Sequence, residues 1–196
     1  MDQLAEACAL WQSGVNTGSS AIRAGAREMT GIPHYFKADW LAEHEQTARE
    51  NPEVMNAARV LLAAVAASNP ERADASTWRK ASGLSPKAFA GRGVKKKQAE
   101  DEQIRDQLKT KTISMPLWGV SLDEEVARSF GKGDLGFLFQ IEGSFRGVAA
   151  WKESGEQEDQ YEIITGGHYT VKHCREEGSA TIVILSESPQ PIRLPL

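Results

Sequence analysis

The segment Glu156-Gln157-Glu158-Asp159-Gln160-Tyr161-Glu162 puts four carboxylates into seven residues and runs straight into the apolar pair Ile163-Ile164. A solvated acidic loop has the same texture. Glu162 differs from its neighbours because it stands where a strand begins, so its side chain is held. A fixed carboxylate suits chemistry in which positive charge develops. Gln160, two residues earlier, falls on the same side of the chain if the segment is extended. Two further places bear on chemistry. In Ser76-Thr77-Trp78-Arg79, a guanidinium beside an aromatic can grip a phosphate with two parallel hydrogen bonds, although an arginine on a strand is also an ordinary surface residue. Trp118-Gly119-Val120-Ser121 leads into a helical pattern. Ser121 there serves as a helix cap or as a polar group of a site, and Gly119 lets a ligand approach the backbone closely. Arg79 and Ser121 are 42 residues apart, and Ser121 and Glu162 are 41 apart.

Such groups need elements to hold them. Leu4, Cys8 and Trp11 share one face of a first helix. A second helix covers Ala21 to Met29, with Ser19 or Ser20 as its cap, and a third covers Asp39 to Glu50. Asn51-Pro52-Glu53 is a helix start, and the helix after it buries Val54, Ala58, Leu61, Leu62 and Val65. Beyond Pro70 the texture changes. Ser76 to Arg79 is a short strand, Gly83 to Gly93 a loop with one helical turn, and Gln98 to Leu108 a polar helix. Strands dominate from Ile113: Phe137 to Ile141, Gly147 to Trp151, Tyr161 to Ile164, Tyr169 to Lys172 and Thr181 to Leu185. One helix, Leu122 to Phe130, interrupts them, with Asp123 at its start. Helices first and strands later make an α+β domain. We read residues 1–196 as one domain, with a helical layer over 1–70 and a strand-rich core over 71–196.

The chain has 196 residues, 40% hydrophobic and 26% charged, as in an ordinary globular domain. Its net charge of −4 does not make it a general magnet for nucleic acid. Residues 72–111 nevertheless hold eleven Lys/Arg against five Asp/Glu. That excess fits a solvated face or a surface that meets phosphates. The two cysteines, Cys8 and Cys174, are too few for a disulfide framework or a metal knuckle, so no metal is expected. They fit a reducing, cytoplasmic setting. No signal peptide or membrane span is read.

The motifs resemble those of the ADP-ribosyltransferases of the arginine–serine–glutamate class. Val120-Ser121-Leu122-Asp123-Glu124-Glu125-Val126-Ala127-Arg128-Ser129-Phe130 is similar to the family's segment that runs from the last two residues of its Ser-Thr-Ser motif into a helix. Phe137 to Glu142 is similar to its next strand, and Gln160-Tyr161-Glu162-Ile163-Ile164-Thr165-Gly166-Gly167-His168-Tyr169-Thr170-Val171 to its Gln-x-Glu loop and strand. Trp11 to Arg27 resembles its first helices, and Ser76 to Arg79 its arginine strand. There are three departures. Gly119 and Val120 replace the first Ser and the Thr, and Lys80 replaces the Gly that usually follows the arginine. Gln160 stands where arginine-modifying members have Glu. Because of Lys80, Arg92-Gly93-Val94 rivals Arg79 as the first motif; Arg79 is preferred for its strand-like run.

The resemblance implies N-terminal helices packed on two small, roughly perpendicular, antiparallel or mixed sheets. It also implies NAD as substrate and transfer of ADP-ribose to a macromolecular acceptor, DNA/RNA or protein, by a toxin- or effector-like enzyme. Glu162 would stabilise the oxocarbenium-like sugar. Arg79, beside Trp78, would hold the pyrophosphate, and Ser121, after Gly119, would hold Glu162 or the ribose. Trp118 would pack on the nicotinamide or belong to the core. Gln160 implies an acceptor other than arginine, a guanine base or a protein amide, because an amide both donates and accepts. The alternative is a weak or inactive binding module on the same scaffold.

Overall fold

Four helices form the first layer. The computed structural model describes residues 2–15, 17–32, 38–68, 87–93, 99–130, 135–190 and 192. Helix α1 (Gln3–Gln12) starts at Asp2, whose side chain accepts from the Leu4 amide at 3.0 Å. Helix α2 (Ser19–Thr30) has Gly18 at its N-cap, without a side-chain cap, so the capping expected of Ser19 or Ser20 is corrected: both serines lie in the first turn. The turn ahead of it is tight, since a Cβ on Gly18 would come within 2.9 Å of the Val15 carbonyl oxygen. Helix α3 (Ala38–Glu50) is followed by α4 (Pro52–Ala67), which begins with proline in its first turn and buries Val54, Ala57, Ala58, Leu61, Leu62 and Val65.

The rest of the described chain is mostly sheet. Strand β1 (Lys87–Gly93) and α5 (Ala99–Lys109) precede β2 (Thr112–Ser121), α6 (Glu124–Ser129), β3 (Leu135–Glu142), β4 (Val148–Ala149), α7 (Ala150–Ser154), β5 (Glu162–Glu177) and β6 (Ala180–Glu187). The strand order is β2-β1-β3-β6-β5-β4, and β2 also pairs with β5, so the sheet curls back on itself. β3 and β6 are parallel and the other pairings antiparallel. The α+β architecture expected from helices followed by strands is present. Its sheet walls form one ladder, because β2 bonds to both β1 and β5.

Three local expectations are corrected. The stretch expected as a loop with a helical turn holds β1, whose residues pair with β3 from Lys87↔Glu142 to Gly93↔Leu135; side-by-side pairing decides a strand that local pattern does not announce. The strand expected over Gly147 to Trp151 is only Val148–Ala149, after which the chain coils into α7 and stops at Gly155 in a left-handed conformation, φ 71°. The strands expected over Tyr161 to Ile164 and Tyr169 to Lys172 are one 16-residue strand, β5, which begins at Glu162 and leaves Tyr161 outside it. Gly166 in its middle marks a close approach rather than a turn, since a Cβ there would overlap the Pro116 carbonyl of β2.

The apolar residues form two main clusters on opposite faces of β2 and β5. One, inside the curl, includes Trp118, Val120, Phe137, Phe139, Ile163 and Tyr169. The other joins α1, α2 and α4 to Leu117, Val148, Ala150 and Ile164. Side chains alternate along a strand. Ile163 points into the curl and Ile164 toward the helices, so Glu162 shares the helix-facing side with Ile164. The carboxylate therefore lies in the seam between the helical layer and the sheet.

Candidate functional site

Glu162 opens β5 directly opposite Ser121, the last residue of β2. Its carboxylate reaches α1, where the Trp11 indole N–H donates to Oε1 at 2.8 Å. The side chain is half-buried. Burial pushes its carboxyl above the usual value of 4.5. The Trp11 hydrogen bond, the Arg23 guanidinium and the Gln12 amide pull the other way without overcoming burial. The Gln12 amide nitrogen is near enough to favour the ionised form, yet it closes no hydrogen bond of ordinary geometry.

Gly119 explains where the carboxylate sits. A Cβ on Gly119 would collide with Glu162 Oε1, and the rest of the Glu162 side chain lies just beyond. The missing side chain on β2 is the space that the carboxylate occupies. Arg23 on α2 closes the other side of Trp11, with its Cζ 5.4 Å from the ring centroid and Nη2 3.4 Å from Ser19 Oγ.

Ser121 acts on the loop rather than on Glu162. Its hydroxyl donates to the Gln160 carbonyl at 2.7 Å and accepts from the Asp123 amide at 3.0 Å. Asp123 is the residue that caps α6, accepting from Glu125 N at 2.9 Å. Gln160 closes a 3-10 turn (Glu158–Gln160), and Tyr161 after it has φ 44°. The segment is therefore not extended, and the expectation that strand alternation sets Gln160 beside Glu162 is corrected: a left-handed residue between them breaks the alternation. The loop is pinned to the end of α1 instead. Gln157 Nε2 donates to the Gln12 carbonyl at 2.7 Å, and Ser154 Oγ donates to Gln12 Oε1 at 2.5 Å.

Of the two places expected for Trp118, against a ligand ring or in the core, it takes the core. It is 1% exposed, packs edge-on against Phe139 and Tyr169, and donates from Nε1 to the Tyr169 hydroxyl at 3.0 Å. Strand alternation turns it into the curl, away from Gly119 and Glu162. Trp78 and Arg79 lie outside the described residues. Arg92 lies on β1, paired with Phe137 of β3, and β1 also meets β2 at Phe89↔Ser121. The structure thus brings Gly119, Ser121, Gln160 and Glu162 together and adds Trp11, Gln12 and Arg23, which local pattern does not set apart from other helix residues. No spacing in the sequence links residues 151 positions apart. Among the described residues no cluster of His, Cys, Asp and Glu is arranged to hold a metal ion, and no helix is long and apolar enough to cross a membrane.

No family model matches the chain, and no curated protein matches it. Solved structures do. The ADP-ribosyltransferase Vis of Vibrio splendidus, in complex with agmatine, aligns over 98% of this chain and 78% of its own, with 12% identity and a TM-score of 0.50. The C3 exoenzyme of Clostridium limosum aligns over 96% and 86%, with 11% identity and a TM-score of 0.52. An ADP-ribosyltransferase of Clostridium botulinum aligns over 95% and 87%, with 12% identity and a TM-score of 0.50. At these identities the likeness is one of fold.

Proposed function

We propose that the protein is an NAD-dependent mono-ADP-ribosyltransferase in which Glu162 is the central carboxylate. The observation that carries this reading is the fixed Glu162 carboxylate, held by Trp11 over a β2 residue that has no side chain, on a fold shared with ADP-ribosyltransferases. In the reaction the bond between nicotinamide nitrogen and ribose carbon breaks, and its electron pair leaves with neutral nicotinamide. The sugar becomes oxocarbenium-like. Glu162, ionised, accepts a hydrogen bond from a ribose hydroxyl and opposes the new positive charge. The acceptor's lone pair then forms the bond to the ribose carbon, and the acceptor gives up a proton.

A pyrophosphate needs a cation. Arg92 is the better candidate on two grounds: it lies on β1, which borders the strand carrying Gly119 and Ser121, and it is followed by Gly93, the residue that Lys80 displaces after Arg79. A charge-assisted hydrogen bond contributes about 1.5–3 kcal/mol. Arg92→Ala is therefore expected to weaken NAD binding by ~2 kcal/mol in calorimetry and Arg79→Ala by less. The reverse ranking assigns the role to Arg79.

For the acceptor, the chemistry of Gln160 argues against arginine, even though Vis binds agmatine. A cationic guanidinium needs a carboxylate to orient and deprotonate it, whereas an amide pairs with another amide or with a base edge. Ser121 fixes the Gln160 carbonyl, which anchors the residue at the loop end nearest Glu162. Nicotinamide release and acceptor labelling measured side by side test both levels. Wild-type protein is expected to release nicotinamide from NAD, and Gln160→Ala to keep slow release while losing labelling of its acceptor. Folded wild-type protein that releases none is a binding module on this scaffold. Efficient labelling of agmatine, or equal loss of both activities in Gln160→Ala, refutes the role given to Gln160.

A further inference from the structure

We infer that Trp11, on the N-terminal helix, is a positioning residue for Glu162. It supplies from α1 the hydrogen bond to the carboxylate that β2, with glycine at 119, has no side chain to supply. The inference rests on the reading of Glu162 given above.

Three observations converge on it. The first is the bond itself, Nε1 to Oε1 at 2.8 Å across 151 residues, from an indole that is 2% exposed. Trp N–H only donates, so the bond is made to carboxylate oxygen and favours the ionised form. The second is Gly119. Its missing Cβ lets the carboxylate fold back far enough to reach the indole. The third is that the same helix end holds the loop before Glu162, through Gln157 to the Gln12 carbonyl and Ser154 to Gln12 Oε1. Gln12 Nε2 is buried beside these groups with no hydrogen-bond partner. It is a second donor beside the carboxylate, near enough to favour its ionised form. Two consecutive residues of α1 thus fix the reactive carboxylate and its loop. Among the described residues, the charged and titratable groups facing the carboxylate are Arg23 on α2 and the Cys8 thiol on α1. Burial pushes Cys8 up to about 12, with Glu153, Glu162 and Asp2 adding to it, so Cys8 stays neutral and uncharged across the working range.

Trp11→Phe keeps most of the ring and removes the N–H. The expected result is a kcat for nicotinamide release lower by about 10-fold to 100-fold, the scale of a small misplacement of a catalytic group, with KM for NAD within about twofold. The acid limb of the pH–rate profile should move to higher pH, because a hydrogen bond that favoured the ionised carboxylate is gone. A readout independent of catalysis is the indole N–H resonance. Wild-type protein has five tryptophans, and Trp11→Phe identifies the signal that belongs to Trp11. That signal should titrate with Glu162 and stop doing so in Glu162→Gln. A Trp11 signal that ignores pH in folded wild-type protein overturns the inference, as does wild-type kcat with an unmoved profile in Trp11→Phe. If wild-type protein releases no nicotinamide, the proposed function fails, and the titration alone decides whether Trp11 governs Glu162.

Discussion

Glu162→Gln is expected to abolish ADP-ribose transfer and to raise the melting temperature in the same protein. The first effect follows from the loss of negative charge beside the oxocarbenium-like sugar, which costs on the order of 10²–10³-fold or more in rate. NAD affinity should stay within about tenfold, or ~1.4 kcal/mol, because in the proposed reaction the pyrophosphate and base would be held by groups other than Glu162. The second effect follows from burial. Desolvation holds the Glu162 carboxyl above 4.5 in the folded protein, so the native state binds its proton more tightly than the unfolded chain. Stability from this group is fully present below pH 4.5 and is lost as pH rises through the folded value. An amide carries no charge to desolvate, and its carbonyl oxygen still accepts from Trp11. The difference in melting temperature between variant and wild type should therefore be small below pH 4.5 and grow to a plateau above the folded value. Each ~1 kcal/mol relieved is worth about 2–4 °C in a chain of this size. Transfer by wild-type protein follows the opposite course and rises as Glu162 ionises. Thermal melts across pH, with nicotinamide release at each pH, check both. Near wild-type turnover in folded Glu162→Gln removes Glu162 from the mechanism; a variant less stable at neutral pH refutes the burial argument.

Gly119→Ala should cost about 100-fold in kcat with little loss of stability. The new methyl would stand where Glu162 Oε1 now lies. What it meets is the far end of a flexible side chain, so the fold can accommodate it by swinging the carboxylate away. That movement breaks the 2.8 Å bond to Trp11 and displaces the group from the seam, and a displacement of ~1 Å can cost 10²-fold. Gly119→Ser separates two ideas about this position. The Ser-Thr-Ser motif that this stretch resembles has serine here, and a hydroxyl could donate to the carboxylate, a bond worth about 1.5–3 kcal/mol to a charged group. The serine Cβ, however, meets the same obstruction. Gly119→Ser is thus expected to fall between wild type and Gly119→Ala. Turnover at or above wild type in Gly119→Ser would mean that the carboxylate has room the structure does not show. Loss of folding in Gly119→Ala would make Gly119 a packing residue. Kinetics and thermal melts on both variants check these outcomes.

Much of this site was legible in the chain. The amphipathic spacing of Leu4, Cys8 and Trp11 gave α1, and Asn51-Pro52 gave the start of α4, because local periodicity and capping operate within a few residues. The run from Gln160 to Val171 indicated a carboxylate at the head of a strand, and β5 does begin at Glu162. The Asp123 cap after β2 was equally local.

Tertiary structure decided the rest. Strand β1 exists because β3 and β2 pair with it; its own Ala- and Gly-rich run carries no strand pattern, and local sequence alone puts Arg92 in a loop. Trp118 and Gly119 are neighbours in sequence, but pleating sends them to opposite faces, one into the core and one under Glu162. The left-handed Tyr161 cancelled an alternation that the sequence implied for Gln160 and Glu162. Trp11 carries the apolar signature of any core residue, and only the packing of α1 on the sheet turned its one polar atom toward a carboxylate 151 residues away. Sequence by itself determined which residues have the chemistry, since residue type and local spacing are enough for that. Which of them meet, and in what ionisation state, depended on long-range packing, because burial and distance are properties of the folded chain alone.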